Sequence, residues 1–215
     1  MAVMAPAGLA IAVCLLAAGA WRLALDWCWL FAGGMVLVVL SKVAFIGWGI
    51  GLPSIGFAGF SGHAMRAGAV LPVAAFLVFR NTAAATRQAG LMVGVLMAML
   101  VGMSRVAVQA HSLSEAVTGC GLGLAVAGTF IVCAQPVRHF ILNRSLLALT
   151  ACALLFTPQV EPVPTEAWLT RLALYLSGHE QAFTRRDWNV ALQLSAPPPG
   201  AMGRRAPALA GGIAR

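Results

Sequence analysis

Apolar blocks of roughly twenty residues, separated by short turns that carry arginine, run through most of this chain. A helix of that length covers the hydrocarbon thickness of a bilayer at about 1.5 Å per residue. No other feature limits the fold as strongly, because a backbone inside lipid has to satisfy its own hydrogen bonds. Composition agrees: 60% of residues are hydrophobic and 9% are charged, where a soluble domain carries about a quarter charged. That apolar surplus exceeds what one globular core can bury, so the chain is expected to be a polytopic membrane protein.

The spans fall at about 5–25, 27–50, 63–80, 88–110, 113–134 and 143–158. The first block lacks the positive start of a signal peptide and is expected to stay as a membrane helix. The last is short, and Thr157-Pro158 stops it. The fold class expected is therefore all-α, a bundle of about six transmembrane helices over residues 1–160. Within 161–190, Trp168, Leu172, Tyr175 and Leu176 recur at helical spacing, as in a short amphipathic helix lying at the interface. Residues 191–215, with Pro197-Pro198-Pro199-Gly200 and a Gly/Ala/Arg-rich end, are expected to be a disordered tail. No internal repeat is visible.

The net charge of +8 raises the question of nucleic acid. Its distribution answers it: Arg22, Arg80, Arg87, Arg138 and Arg144 punctuate gaps between apolar blocks and form no basic stripe. The positive-inside rule then assigns the turns near 22–26, 80–87 and 138–144 to the cytoplasm. The 50–62 loop and the 110–113 turn face the opposite side, in a bacterial inner membrane the periplasm. The five cysteines show no CxxC or Cys/His ligand spacing, so neither a disulfide framework nor a metal site is expected.

Ionisable residues inside spanning segments are functional candidates by default. Lys42 nears the exit of span two, His63 opens span three, Arg105 nears the exit of span four and Glu115 opens span five. All four therefore lie at one membrane face. Lys42 and Arg105 can hold phosphate oxygens, Arg105 with forked geometry. Ser61 and the backbone at Gly62 can add donors at a helix start, where free N–H groups favour an anion. Glu115 follows His111 by four residues, so one helical turn pairs their side chains. A carboxylate on one imidazole nitrogen fixes the tautomer and raises basicity at the other. His111 is then a nucleophile or base, and His63 an acid for a leaving oxygen.

These residues resemble the type-2 phosphatidic acid phosphatase superfamily, the integral-membrane relatives of vanadium haloperoxidases. The family pattern is a lysine, six residues and Arg-Pro; then Ser-Gly-His; then Ser-Arg, five residues, His, three residues and Asp. Here the second part is Ser61-Gly62-His63 and the third is Ser104-Arg105, five residues, His111, three residues and Glu115. The resemblance spans roughly 42–134. It implies that His111 attacks phosphorus to form a phosphohistidine, that Glu115 orients it, and that His63 protonates the leaving alkoxide. Lys42, Ser61, Gly62 and Arg105 would bind the phosphoryl oxygens, and neither metal nor other cofactor is required. The substrate implied is a lipid phosphate or isoprenyl pyrophosphate. Two departures stand out: Glu115 replaces aspartate, and Gly49-Ile50 stands where Arg-Pro belongs. Arg66, three residues after His63 on the same face, is a candidate for the missing cation. The other functions considered are a lipid phosphotransferase using the same site and a silent membrane scaffold or transport component.

Other features have plainer readings. Ser177-Gly178-His179 repeats the short string and is expected to be a helix end with a surface histidine. Trp21, Trp27 and Trp29 read as an interfacial belt. The methionines at 92, 97, 99 and 103 read as packing, and the glycines at 119, 121, 123 and 128 as sites of close helix approach.

Overall fold

The computed structural model describes residues 4–135 and 165–188. The described residues are helical, in the order α1 (Met4–Ala17), α2 (Trp21–Trp48), α3 (Gly62–Phe79), α4 (Ala84–Ala107), α5 (Leu113–Ala134) and α6 (Thr165–Ser177), with a turn of 3-10 helix at Pro53–Ile55. Helices α2 to α5 are each long and apolar enough to cross a membrane, which makes this an integral membrane protein. Among the described residues four helices qualify, where about six spans were expected of the chain. The sixth, at 143–158, and the tail at 191–215 lie outside the described residues.

The first span differs for a local reason. Its helix ends at Ala17, because Gly19 takes φ +73° and the N–H groups of Gly19 and Ala20 close back onto Leu16 O and Leu15 O. At 14 residues α1 is about 21 Å long, shorter than a roughly 30 Å hydrocarbon core. Arg22 and Asp26, expected to mark a turn, instead sit in the first turns of α2. Trp27 also leaves the expected belt. It is buried, stacks on Phe31 and meets Phe130 edge-on, and its indole N–H donates to Gly8 O at 2.8 Å, which ties α1 to the core. Trp21 and Trp29 remain exposed.

Helix α3 is the axis of the bundle, and most of its residues are buried. Small residues let α5 come against it. A Cβ on Gly119 would lie 2.6 Å from Ser61 O, and one on Gly123 would strike Met65 O. Backbone contact at this range gives dispersion where lipid supplies no hydrophobic drive. Gly121 and Gly128 do not share that role, since a Cβ there meets nothing within 4 Å.

Helix α6 lies along the end of α2, where Gly47 faces Ala173 O and Ser177. It leaves Trp168, Leu172, Tyr175 and Leu176 exposed. It stops at Ser177 because Gly178, at φ +71°, turns its N–H back to Leu174 O. Residues from Thr184 belong to a second unit. There the backbone N–H and hydroxyl of Thr184 donate to Asp187 Oδ2 at 2.6 and 2.9 Å, which holds the Asp187 carboxyl below the usual carboxylate range.

Candidate active site

The two motif strings meet where the start of α3 touches the start of α5. Ser61 is the N-cap of α3, its side chain accepting from Ala64 N–H. Its own N–H donates to Glu115 O at 3.1 Å, so the Ser-Gly-His string is pinned directly to the Arg…His…Glu string. Glu115 in turn sits at N3 of α5 in a capping box with Ser112. The Ser-x-x-Glu spacing at 112–115 is that motif's signature, a signal the motif reading of Glu115 passed over.

Glu115 is a buried hub, 2% exposed. Its Oε1 accepts from Ala58 N–H at 2.9 Å. Its Oε2 lies 2.9 Å from His111 Nδ1 and accepts from Ser112 N–H at 3.3 Å. An ionised carboxylate only accepts, so Nδ1 carries the proton and Nε2 keeps its lone pair. The extra methylene relative to aspartate lets one carboxylate reach both the loop at Ala58 and the imidazole.

Arg105 and His111 are coupled through backbone. Arg105 O accepts from the N–H groups of both Ala110 and His111, at 3.0 and 3.3 Å. The turn between them holds Gln109 at φ +53°, a left-handed conformation uncommon outside glycine. This tight α4–α5 connection brings Arg105 and His111 to one end of the bundle.

The loop from Gly49 to Phe60 is stitched to both sides. Leu52 and Phe57 exchange backbone hydrogen bonds, Ser114 Oγ donates to Ile55 O at 2.9 Å, and Phe60 N–H donates to Ser41 Oγ at 3.0 Å. Gly59, at φ +125°, packs on the backbone of Lys42. Ser41, Ala58 and Ser114 thus position the site, and nothing in their local sequence announces it. Lys42, Arg66, Arg105 and His111 all lie close enough to His63 to act on its charge. The structure therefore brings every motif residue expected from the sequence to one end of the bundle.

Gly49 explains why the expected arginine is absent there. It ends α2 at φ +68°, and a Cβ would come 2.9 Å from the Phe183 ring. The second Ser-Gly-His string has the opposite role to the first. Ser177 closes a helix where Ser61 opens one, and His179 Nδ1 donates to Gly47 O at 2.7 Å.

One turn into the bundle from Glu115, an apolar cleft of about 360 Å³ lies between α4 and α5. Met99, Met103, Val117, Cys120, Gly121 and Leu124 line it together with Ala116, the next residue after Glu115. The four methionines read as packing are all exposed, and two of them, Met99 and Met103, line this cleft.

Two histidines, a carboxylate and several cations thus gather at one end of a bundle whose helices are long and apolar enough to cross a membrane. The chain belongs to the PAP2 superfamily, whose family model matches residues 3–138. It is also similar to an "Uncharacterized 22.5 kDa protein in cps region" of Klebsiella pneumoniae, 31% identical over 169 residues, covering 77% of this chain and 81% of that protein. No solved structure matches. Family membership supports a phosphatase-type function.

Proposed function

We propose that this protein hydrolyses a phosphate ester or pyrophosphate of a lipid through a phosphohistidine at His111. The observation that carries the reading is the Glu115–His111 pair at 2.9 Å, set among the cations around His63. Nε2 of His111 attacks phosphorus, the N–P bond forming as the bond to the leaving oxygen breaks. His63 gives that oxygen its proton. Water then attacks phosphorus, His63 takes a proton from it, and the N–P bond breaks to release phosphate. Lys42 and Arg105, with the Ser61 hydroxyl and the Gly62 backbone N–H, hold the phosphoryl oxygens as charge builds on them.

The lipid class is supported by the cleft, which is apolar and includes Ala116, the next residue after Glu115. A tail lying there keeps its headgroup at His111. Gly121 lines this cleft with open space at its Cβ position, so Gly121→Leu fills the cleft without striking backbone. Purified protein in detergent is expected to release phosphate from lipid phosphates. Gly121→Leu should raise KM for a long-chain substrate by about tenfold or more, on the order of the burial of one leucine-sized group, and leave a soluble aryl phosphate unaffected. Equal losses on both substrates would remove the cleft from the reading. A folded protein that releases phosphate from no lipid would leave a membrane scaffold instead, and phosphate appearing on a second lipid would indicate transfer.

The site end is proposed to face the outside of the cell, because Arg22, Arg80 and Arg87 lie at the other ends of α2, α3 and α4. A cysteine placed at exposed Ser54 should react with an impermeant maleimide in intact cells. Labelling only after the membrane is opened reverses the orientation.

A further inference from the structure

A cation outside the matched motifs reaches the same site. Arg66 lies three residues after His63 on α3, so the two share a face. Its side chain folds back toward the helix start, Nε donating to Gly62 O at 2.9 Å. Its Nη2 comes within 4.0 Å of where a Cβ on Gly62 would be. Among the charges acting on His63, that of Arg66 is stronger than those of Arg105, His111 or Lys42. No carboxylate among the described residues forms an ion pair with it. A half-buried arginine in an apolar helix is costly without an anion, and Gly49 contributes no charge at this end.

We infer that Arg66 binds substrate phosphate on the leaving-oxygen side of the site, and that the substrate it suits is a diphosphate ester. The inference rests on the phosphatase reading above and selects within it. In a diphosphate ester His111 attacks the terminal phosphorus, and the bond to the bridging oxygen breaks. That oxygen takes the proton from His63 and leaves as part of a lipid monophosphate, still an anion. Arg66, beside His63, holds this departing phosphate in forked hydrogen bonds. A monoester releases a neutral alcohol, which gives Arg66 nothing to hold. Selectivity for the diphosphate therefore comes from the arginine that neighbours the acid.

The test compares farnesyl diphosphate with farnesyl monophosphate as substrates of wild type, Arg66→Ala, Arg66→Gln and Arg66→Lys. Wild type should favour the diphosphate. Arg66→Ala and Arg66→Gln should lower kcat/KM for it by about 10²-fold, the usual scale for losing one well-placed donor, and lower that for the monophosphate by about tenfold less. Arg66→Lys, or guanidine added to Arg66→Ala, should restore part of the loss, which a purely structural role would not allow. Equal losses on both substrates, or none on either, in a protein that releases phosphate would overturn the inference and leave the phosphatase reading standing. Calorimetric titration with inorganic pyrophosphate and inorganic phosphate provides a readout without turnover. Arg66→Ala should lose the preference for pyrophosphate, and an unchanged preference would also overturn the inference. A folded wild type that hydrolyses neither farnesyl ester instead fails the phosphatase reading itself.

Discussion

Replacing His111 with alanine is expected to abolish phosphate release while the bundle stays folded. The imidazole sits in the α4–α5 turn, and among the described residues its side chain is tied by the bond from Nδ1 to Glu115. Losing it leaves the helix contacts of α3 with α5 intact, including the pinning of Ser61 N–H to Glu115 O. Chemically the change removes the group proposed to form a covalent bond to phosphorus. Loss of a nucleophile costs about 10³-fold or more, with residual rate coming from the remaining binding groups. Thermal unfolding in detergent separates the two effects, and brief incubation with a labelled substrate should trap an acid-labile phosphoenzyme in wild type that is missing from the variant. His63→Ala should fall by a smaller factor, about 10² to 10⁴-fold, as expected for a proton donor. Retention of a tenth or more of wild-type activity in His111→Ala would sink the phosphohistidine mechanism.

How far the sequence revealed this arrangement depends on the length scale of each signal. Apolar blocks report membrane helices through their sheer length, so α3 and α5 were legible to within a residue, while α4 and α2 begin four and six residues earlier than the blocks suggest. The exit from α1 was not legible, because Gly19 acts through φ alone and stands beside charges that suggested a later turn. Trp27 was misread for a similar reason. Tryptophan serves equally at an interface and in a core, and only the partner Gly8 O decides. In the site, the residues with fixed motif spacing could be found, since a helical turn converts spacing of four into contact between His111 and Glu115. The supports could not: Ala58 contributes only a backbone N–H, and Ser41 lies on a different helix from the loop it holds. Long-range backbone contacts leave no periodic trace. The gap at Gly49 could be seen but not interpreted until its left-handed conformation and the Phe183 ring were known.

Glu115 offers the sharpest separation of chemistry from folding, because three substitutions act on different bonds. Glu115→Ala leaves the N–H groups of Ala58 and Ser112 without their acceptor, at about 1 to 3 kcal/mol for each buried group, and so should both destabilise the bundle and stop turnover. Glu115→Gln keeps the volume but introduces an amide donor. Whichever way the amide turns, its NH2 must face Ala58 N–H or the His111 and Ser112 side. With the NH2 toward His111, donation to Nδ1 moves the imidazole proton to Nε2 and removes the lone pair that attacks phosphorus. With the NH2 toward Ala58, the tautomer stays but the charge that steadies the imidazole as it transfers phosphate is lost. The expected loss is about 10³ to 10⁴-fold, the scale of a wrong-tautomer histidine, in a protein more stable than the alanine variant. Glu115→Asp keeps the charge but lacks the reach to hold both Ala58 N–H and Nδ1, now each 2.9 Å away. It should keep the tautomer and lose about tenfold, the cost of roughly one hydrogen bond. If stability alone governed activity, the order would run aspartate, glutamine, alanine in step with melting temperature. The tautomer argument instead requires glutamine to be as inactive as alanine despite its higher melting temperature. Activity in Glu115→Gln within tenfold of wild type would show that the carboxylate serves the fold and not the nucleophile.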